Sequence, residues 1–124
     1  MTALNEHILV VDDDHLIVMG FCAEIEDMGL VICGTAATAD DAIALVQEHR
    51  PKVVLMDMRL HGKKDGVDAA LVIHEQVGSR VIFITGSREP STIARINLDH
   101  PWAVLFKPVS FRQLQTTIAA AMRD

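Results

Sequence analysis

Two patterns of apolar and polar positions take turns along this chain, and they do so five times. Short apolar, β-branched runs occupy His7 to Val11, Val31 to Thr35, Lys52 to Asp57, Arg80 to Thr85 and Ala103 to Lys107. Several are nearly continuous, as in Ile8-Leu9-Val10-Val11, Val53-Val54-Leu55-Met56 and Val81-Ile82-Phe83-Ile84. A strand with one wet face alternates, whereas a strand covered by helices on both faces does not, so these runs predict a buried parallel sheet.

Longer amphipathic stretches lie between them. His15 to Met28 carries Leu16, Met19, Ala23 and Ile25 near helical spacing and stops at Gly29, a residue suited to the left-handed turn after a helix. Thr38 and Pro51 bracket Ala39 to His49, and Asp65-Gly66 opens a helix that runs to about Val77, with Gly78 beyond it. Ser110 and Gln113 have capping-box spacing, and Phe111, Leu114, Ile118 and Met122 then share one face. Arg88 to Pro101 is encoded less firmly. Two prolines, β-branched Thr92, Ile93 and Ile96, and an Asn-Leu-Asp-His-Pro ending predict a short fourth helix that passes into loop. Five βα units predict an α/β fold, a doubly wound five-stranded parallel sheet, as one domain over residues 1–124.

Composition narrows the function classes. With 17 acidic against 11 basic residues and a formal charge of −6, the chain has no basic footprint for neutralising nucleic-acid phosphates. No apolar run reaches the roughly 20 residues of a membrane helix, and Met1 to Glu6 lacks a secretory layout, so a cytoplasmic protein is expected. Cys22 and Cys33 fit neither a disulfide framework nor a metal knuckle and read as small buried hydrophobes. Aromatic residues are 4%, with no tyrosine, which disfavours stacking platforms for bases.

In open parallel sheets, ligands bind beyond the carboxyl ends of the strands. Asp12-Asp13-Asp14 follows the first apolar run, Asp57 ends the third, Thr85-Gly86 the fourth and Lys107-Pro108 the fifth. Crowded carboxylates repel, and one lysine cannot neutralise three. A cation is implied, and hard oxygen donors without a matching Cys or His favour Mg²⁺ or Mn²⁺ over zinc. A metal and a lysine beside a carboxylate suit phosphoryl transfer onto Asp57, with Thr85 donating to the new group. Asp14 reads as the start of a helix rather than as a ligand.

Together, Ile8 to Asp14, Val53 to Asp57, Phe83 to Gly86 and Lys107-Pro108 resemble the receiver (CheY-like) domains of two-component response regulators, and the resemblance covers the whole chain. It implies a flavodoxin-like fold with Asp57 as phospho-acceptor, Asp13 as a direct metal ligand and Asp12 acting through water. It also implies the backbone carbonyl of Arg59 as the third protein ligand, Thr85 as switch hydroxyl and Lys107 as the phosphoryl contact. Pro108 matches a proline that commonly follows a cis peptide bond. The expected partners are a sensor histidine kinase or phosphotransfer protein and a downstream protein target.

Two departures stand out. Most receivers carry Tyr or Phe three residues before the lysine, where this chain has Val104, so the usual aromatic switch is absent. The turn after Asp57 is one residue longer than usual and lacks its proline. With Phe83-Ile84-Thr85-Gly86, this is similar to the stand-alone F-A-T-G receivers, often called the FAT GUY family, which implies HWE-type kinases and a poorly ordered fourth helix. The expected function is a single-domain phosphoacceptor that signals by protein contact, with a phosphate sink or a phosphorylation-independent pseudo-receiver as rivals. An aspartyl-nucleophile phosphohydrolase is disfavoured, because Arg59 stands where that chemistry uses a second Asp.

Overall fold

A computed structural model describes residues 3–123. The elements run β1 (Asn5–Val11), α1 (His15–Asp27), β2 (Val31–Ala36), α2 (Ala39–His49), β3 (Pro51–Asp57), α3 (Gly66–Gln76), β4 (Arg80–Thr85), α4 (Pro90–Asn97), β5 (Ala103–Phe106) and α5 (Phe111–Met122). All strands pair in parallel, in the order β2-β1-β3-β4-β5. The predicted fold is therefore the observed one.

The continuous apolar runs are explained by their surroundings. Every residue of β3 is buried, and two apolar layers sandwich the sheet. One joins Leu9, Val11, Val54, Met56 and Phe83 to α2, α3 and Ile96 of α4. The other joins Ile8, Val10, Val53, Leu55 and Ile82 to α1 and α5. Successive strand residues point to opposite faces, so each strand feeds both layers.

Local signals account for most helix ends. The Asp14 carboxylate accepts from the N–H groups of Leu16 and Ile17, as a first-turn cap does. Thr38 caps α2 in the same way. At Ser110 the hydroxyl accepts from Gln113 N, whereas the reciprocal capping box lies at α3, between Asp65 and Asp68. The weakly encoded segment forms an eight-residue α4 without a side-chain cap, followed by a turn. Arg50 ends α2 with φ of 47°, a left-handed position usually taken by glycine, which left that boundary marked only by Pro51.

Cys22 and Cys33 are free but only half-buried, at the margins of the two layers, which corrects the fully buried reading. Burial raises the pKa of both thiols, with the Glu26 charge adding to the effect at Cys22. Trp102 donates its backbone N–H to Val81 O and leaves its side chain partly exposed. Among the described residues no helix is long and apolar enough to cross a membrane.

Candidate functional site

The strand order places β1 and β3 side by side, with the chain leaving them toward opposite halves of the sheet. A crevice must open at such a switch point, beyond the carboxyl ends of the two strands. A cleft of about 850 Å³ lies there, lined by Asp12, Asp13, Asp57, Arg59, Thr85 and Lys107 among others. The five side chains expected from the strand ends all converge on it.

One carboxylate oxygen from each of Asp12, Asp13 and Asp57 lies within 4.8 Å of the other two. Asp12 and Asp57 are buried, while the Asp13 side chain is 31% exposed toward the cleft mouth. Lys107 Nζ donates to Asp57 Oδ1 at 3.3 Å and stands 3.5 Å from Asp12 Oδ2. Asp12 Oδ1 accepts from Asp14 N at 2.9 Å, but its buried Oδ2 has no hydrogen bond. Burial and the Asp12 charge, only partly offset by Lys107, push the Asp57 carboxyl up to about 6. Burial alone would lower Lys107, yet the Asp57 and Asp12 charges hold it above its ordinary value. The cluster is thus short of positive charge. A buried carboxylate oxygen without a donor, among hard oxygen ligands, fits a Mg²⁺-like cation better than it fits a finished ion-pair network.

A second ring of contacts fixes the loops. The Thr85 hydroxyl accepts from Ser87 N at 3.1 Å, and Ser87 Oγ lies 3.4 Å from Thr92 Oγ1 on α4. Lys107 N donates to Thr85 O, and the Lys107-Pro108 peptide is cis, as the resemblance implied. Gly66 sits so close to Asp57 that a β-carbon there would run into the Asp57 backbone oxygen. Its N–H donates to Met58 O, closing the loop after Asp57.

Sequence reasoning missed three neighbours. Arg95 of α4 reaches Asp65 at 2.9 Å and Asp68 at 3.0 Å. Burial pushes the Asp65 carboxyl up, but Arg95 and the Asp68 contacts outweigh it and hold it below its usual range. His61 Nδ1 approaches Asp13 to 3.8 Å, and the Arg88 guanidinium lies 4.1 Å from the centre of the Phe106 ring. The i, i+3 spacing of Asp65 and Asp68 was readable as a capping box. The other pairings depend on tertiary placement. Lys64 of the same loop makes an exposed pair with Asp40, in keeping with a solvated turn.

Residues 8–119 match the sequence model of the response regulator receiver domain. The chain belongs to that family. The receiver is 28% identical over 120 residues to the transcriptional regulatory protein PdtaR of Mycobacterium tuberculosis, a match that covers 97% of this chain and 58% of PdtaR. It is 28% identical over 116 residues to the phyllosphere-induced regulator PhyR of Methylorubrum extorquens, covering 93% of this chain and 43% of PhyR. The receiver therefore spans about half the length of these curated relatives. Among solved structures, a CheY-like receiver domain protein from Methanospirillum hungatei superposes with a TM-score of 0.87 at 26% identity, covering 97% and 94% of the two chains.

Proposed function

We propose that this receiver accepts a phosphoryl group on Asp57 from a histidine kinase or phosphotransfer protein in the cytoplasm, and passes the signal on by protein contact. The observation that carries this reading is the buried Asp57 carboxylate, paired with Lys107 inside a cluster of acids that lacks compensating charge.

The chemistry follows from the donor set. Asp12, Asp13, Asp57 and the carbonyl of Arg59 would hold a Mg²⁺ or Mn²⁺ ion, which would supply charge neutralisation for the carboxylates and an incoming phosphoryl group. An Asp57 carboxylate oxygen attacks phosphorus in line. The phosphorus–nitrogen bond of the donor phosphohistidine breaks, and its electron pair returns to the imidazole, which takes up a proton from solvent. Lys107 shifts from the carboxylate to the new phosphoryl oxygens, and Thr85 redirects its hydroxyl proton from Ser87 O to the same group. Because Ser87 contacts Thr92, that change is felt at α4. A switch from mostly inactive to mostly active needs about 5 kcal/mol of differential stabilisation, which several charge-assisted bonds together supply. The protein is on this reading a phosphoacceptor and not a multiple-turnover enzyme. The long loop after Asp57 and the short α4 support membership of the F-A-T-G subgroup and a kinase of HWE type.

Incubation with Mg²⁺ and acetyl phosphate should add one phosphoryl mass to the wild type and none to Asp57→Asn. No adduct on the wild type, either from acetyl phosphate or from its kinase, overturns the proposal and leaves a phosphorylation-independent interaction module. If the adduct forms but no partner binds more strongly with beryllofluoride, a phosphoryl mimic, than without it, the reading becomes a phosphate sink.

A further inference from the structure

Phosphorylation turns the Asp57 carboxylate into an acyl phosphate of about two negative charges, beside the two carboxylates of Asp12 and Asp13. Lys107 is shared between Asp57 and Asp12, and Arg95 is taken up by Asp65 and Asp68. Arg88 lines the same cleft. Its guanidinium rests on the face of Phe106, the residue that pairs with Thr85 across β4 and β5 and immediately precedes Lys107. An exposed arginine is thereby held at the rim of the site by a cation–π contact. Such a contact is weak beside a charge-assisted bond to a phosphoryl group.

We propose that Arg88 is a phosphoryl-binding residue of this receiver, stacked on Phe106 while Asp57 is unmodified and paired with the phosphoryl oxygens once they arrive. The inference rests on the phosphoacceptor reading of Asp57. Three features favour Arg88 in this role. The guanidinium presents a planar fork that matches two phosphoryl oxygens. Arg88 follows Thr85 by only three residues, in the loop Gly86-Ser87 that leads from β4, so a movement that brings Thr85 to the phosphoryl group draws Arg88 along through the backbone. Its departure also uncovers the half-buried Phe106 ring on the α4 side of β5, which gives the receiver an aromatic signal although Val104 cannot provide one.

The test uses beryllofluoride with saturating Mg²⁺, followed by the fluorine NMR signal of the bound group, with Mg²⁺ affinity and thermal stability measured separately. In Arg88→Gln the half-saturating concentration should rise about tenfold, with Mg²⁺ affinity and melting temperature unchanged. Arg88→Lys, which keeps the charge but loses the fork, should fall between wild type and Arg88→Gln. Lys64→Gln, which removes an exposed positive charge that pairs with Asp40 outside the cleft lining, should bind like the wild type. A half-saturation of Arg88→Gln within twofold of wild type overturns the inference, as does an equal loss in Lys64→Gln or a parallel loss of Mg²⁺ affinity. Failure of the wild type to take up beryllofluoride would instead remove the acceptor reading, and this inference with it.

Discussion

The two edges of the sheet treat charge in opposite ways. At the amino-terminal edge, buried Lys52 of β3 donates to the carbonyl of Met122 at 2.6 Å and to Glu6 at 3.2 Å. Arg80 of β4 donates to the carbonyls of Ala121 and Arg123. The last carbonyls of a helix lack intrahelical donors and carry partial negative charge, so these cations and the end of α5 satisfy one another. At the carboxyl-terminal edge β1 and β3 deliver acids that Lys107 only partly balances, and burial together with the Asp12 charge pushes Asp57 up to about 6. The closed edge contributes stability. The open edge gives up stability in exchange for affinity toward a cation and a phosphoryl group.

That contrast can be broken most strongly at Asp57. Its carboxyl is raised from an ordinary 3.8 to about 6, so its contribution is fully present below 3.8 and is lost as the pH rises through 6. The cost at neutral pH is about 3 kcal/mol in the absence of metal. Urea unfolding in EDTA should therefore show wild type losing most of that, about 2 kcal/mol, relative to Asp57→Asn between pH 4 and pH 7.5. Mg²⁺ should return much of that to the wild type alone. Equal pH profiles for the two proteins would mean that the upper edge is balanced after all.

At the lower edge, Lys52→Met should cost about 2 kcal/mol, the scale of a buried bond from a charged donor. The loss should be independent of Mg²⁺ and nearly flat from pH 5 to 8. A Mg²⁺-dependent loss would erase the distinction between the edges. The smallest effect is expected at the half-exposed clamp on α4. Arg95→Gln should cost less than about 1 kcal/mol at neutral pH. Because the Asp65 carboxyl is held below its ordinary value, this contribution is present above 3.8 and fades as the pH falls through the lowered value. Hydrogen exchange in α4 should rise in Arg95→Gln, and an unchanged rate would show that the clamp does not hold the helix.

The acids, the threonine and the lysine of the site were legible in the sequence because each directly follows an apolar run, and strand direction then sends them all to one edge. Arg88, Arg95 and His61 were not legible. Their partners lie on other elements, and the segment carrying the two arginines is a loop and an eight-residue helix without a side-chain cap, so its path could not be read. The half-buried state of Cys22 and Cys33 was hidden for a related reason, since apolar neighbours in sequence do not reveal where a layer ends.

Gly66 carries no charge and touches no phosphoryl group, yet its lack of a side chain sets a rule for tolerance to change. Any β-carbon there collides with the backbone of Asp57, so no substitution of the side chain at position 57 makes room for one at position 66. A mutational scan of this receiver should therefore contain one loss-of-function site that no map of its electrostatics would flag. A redesign of the loop between them has to begin from that absent carbon.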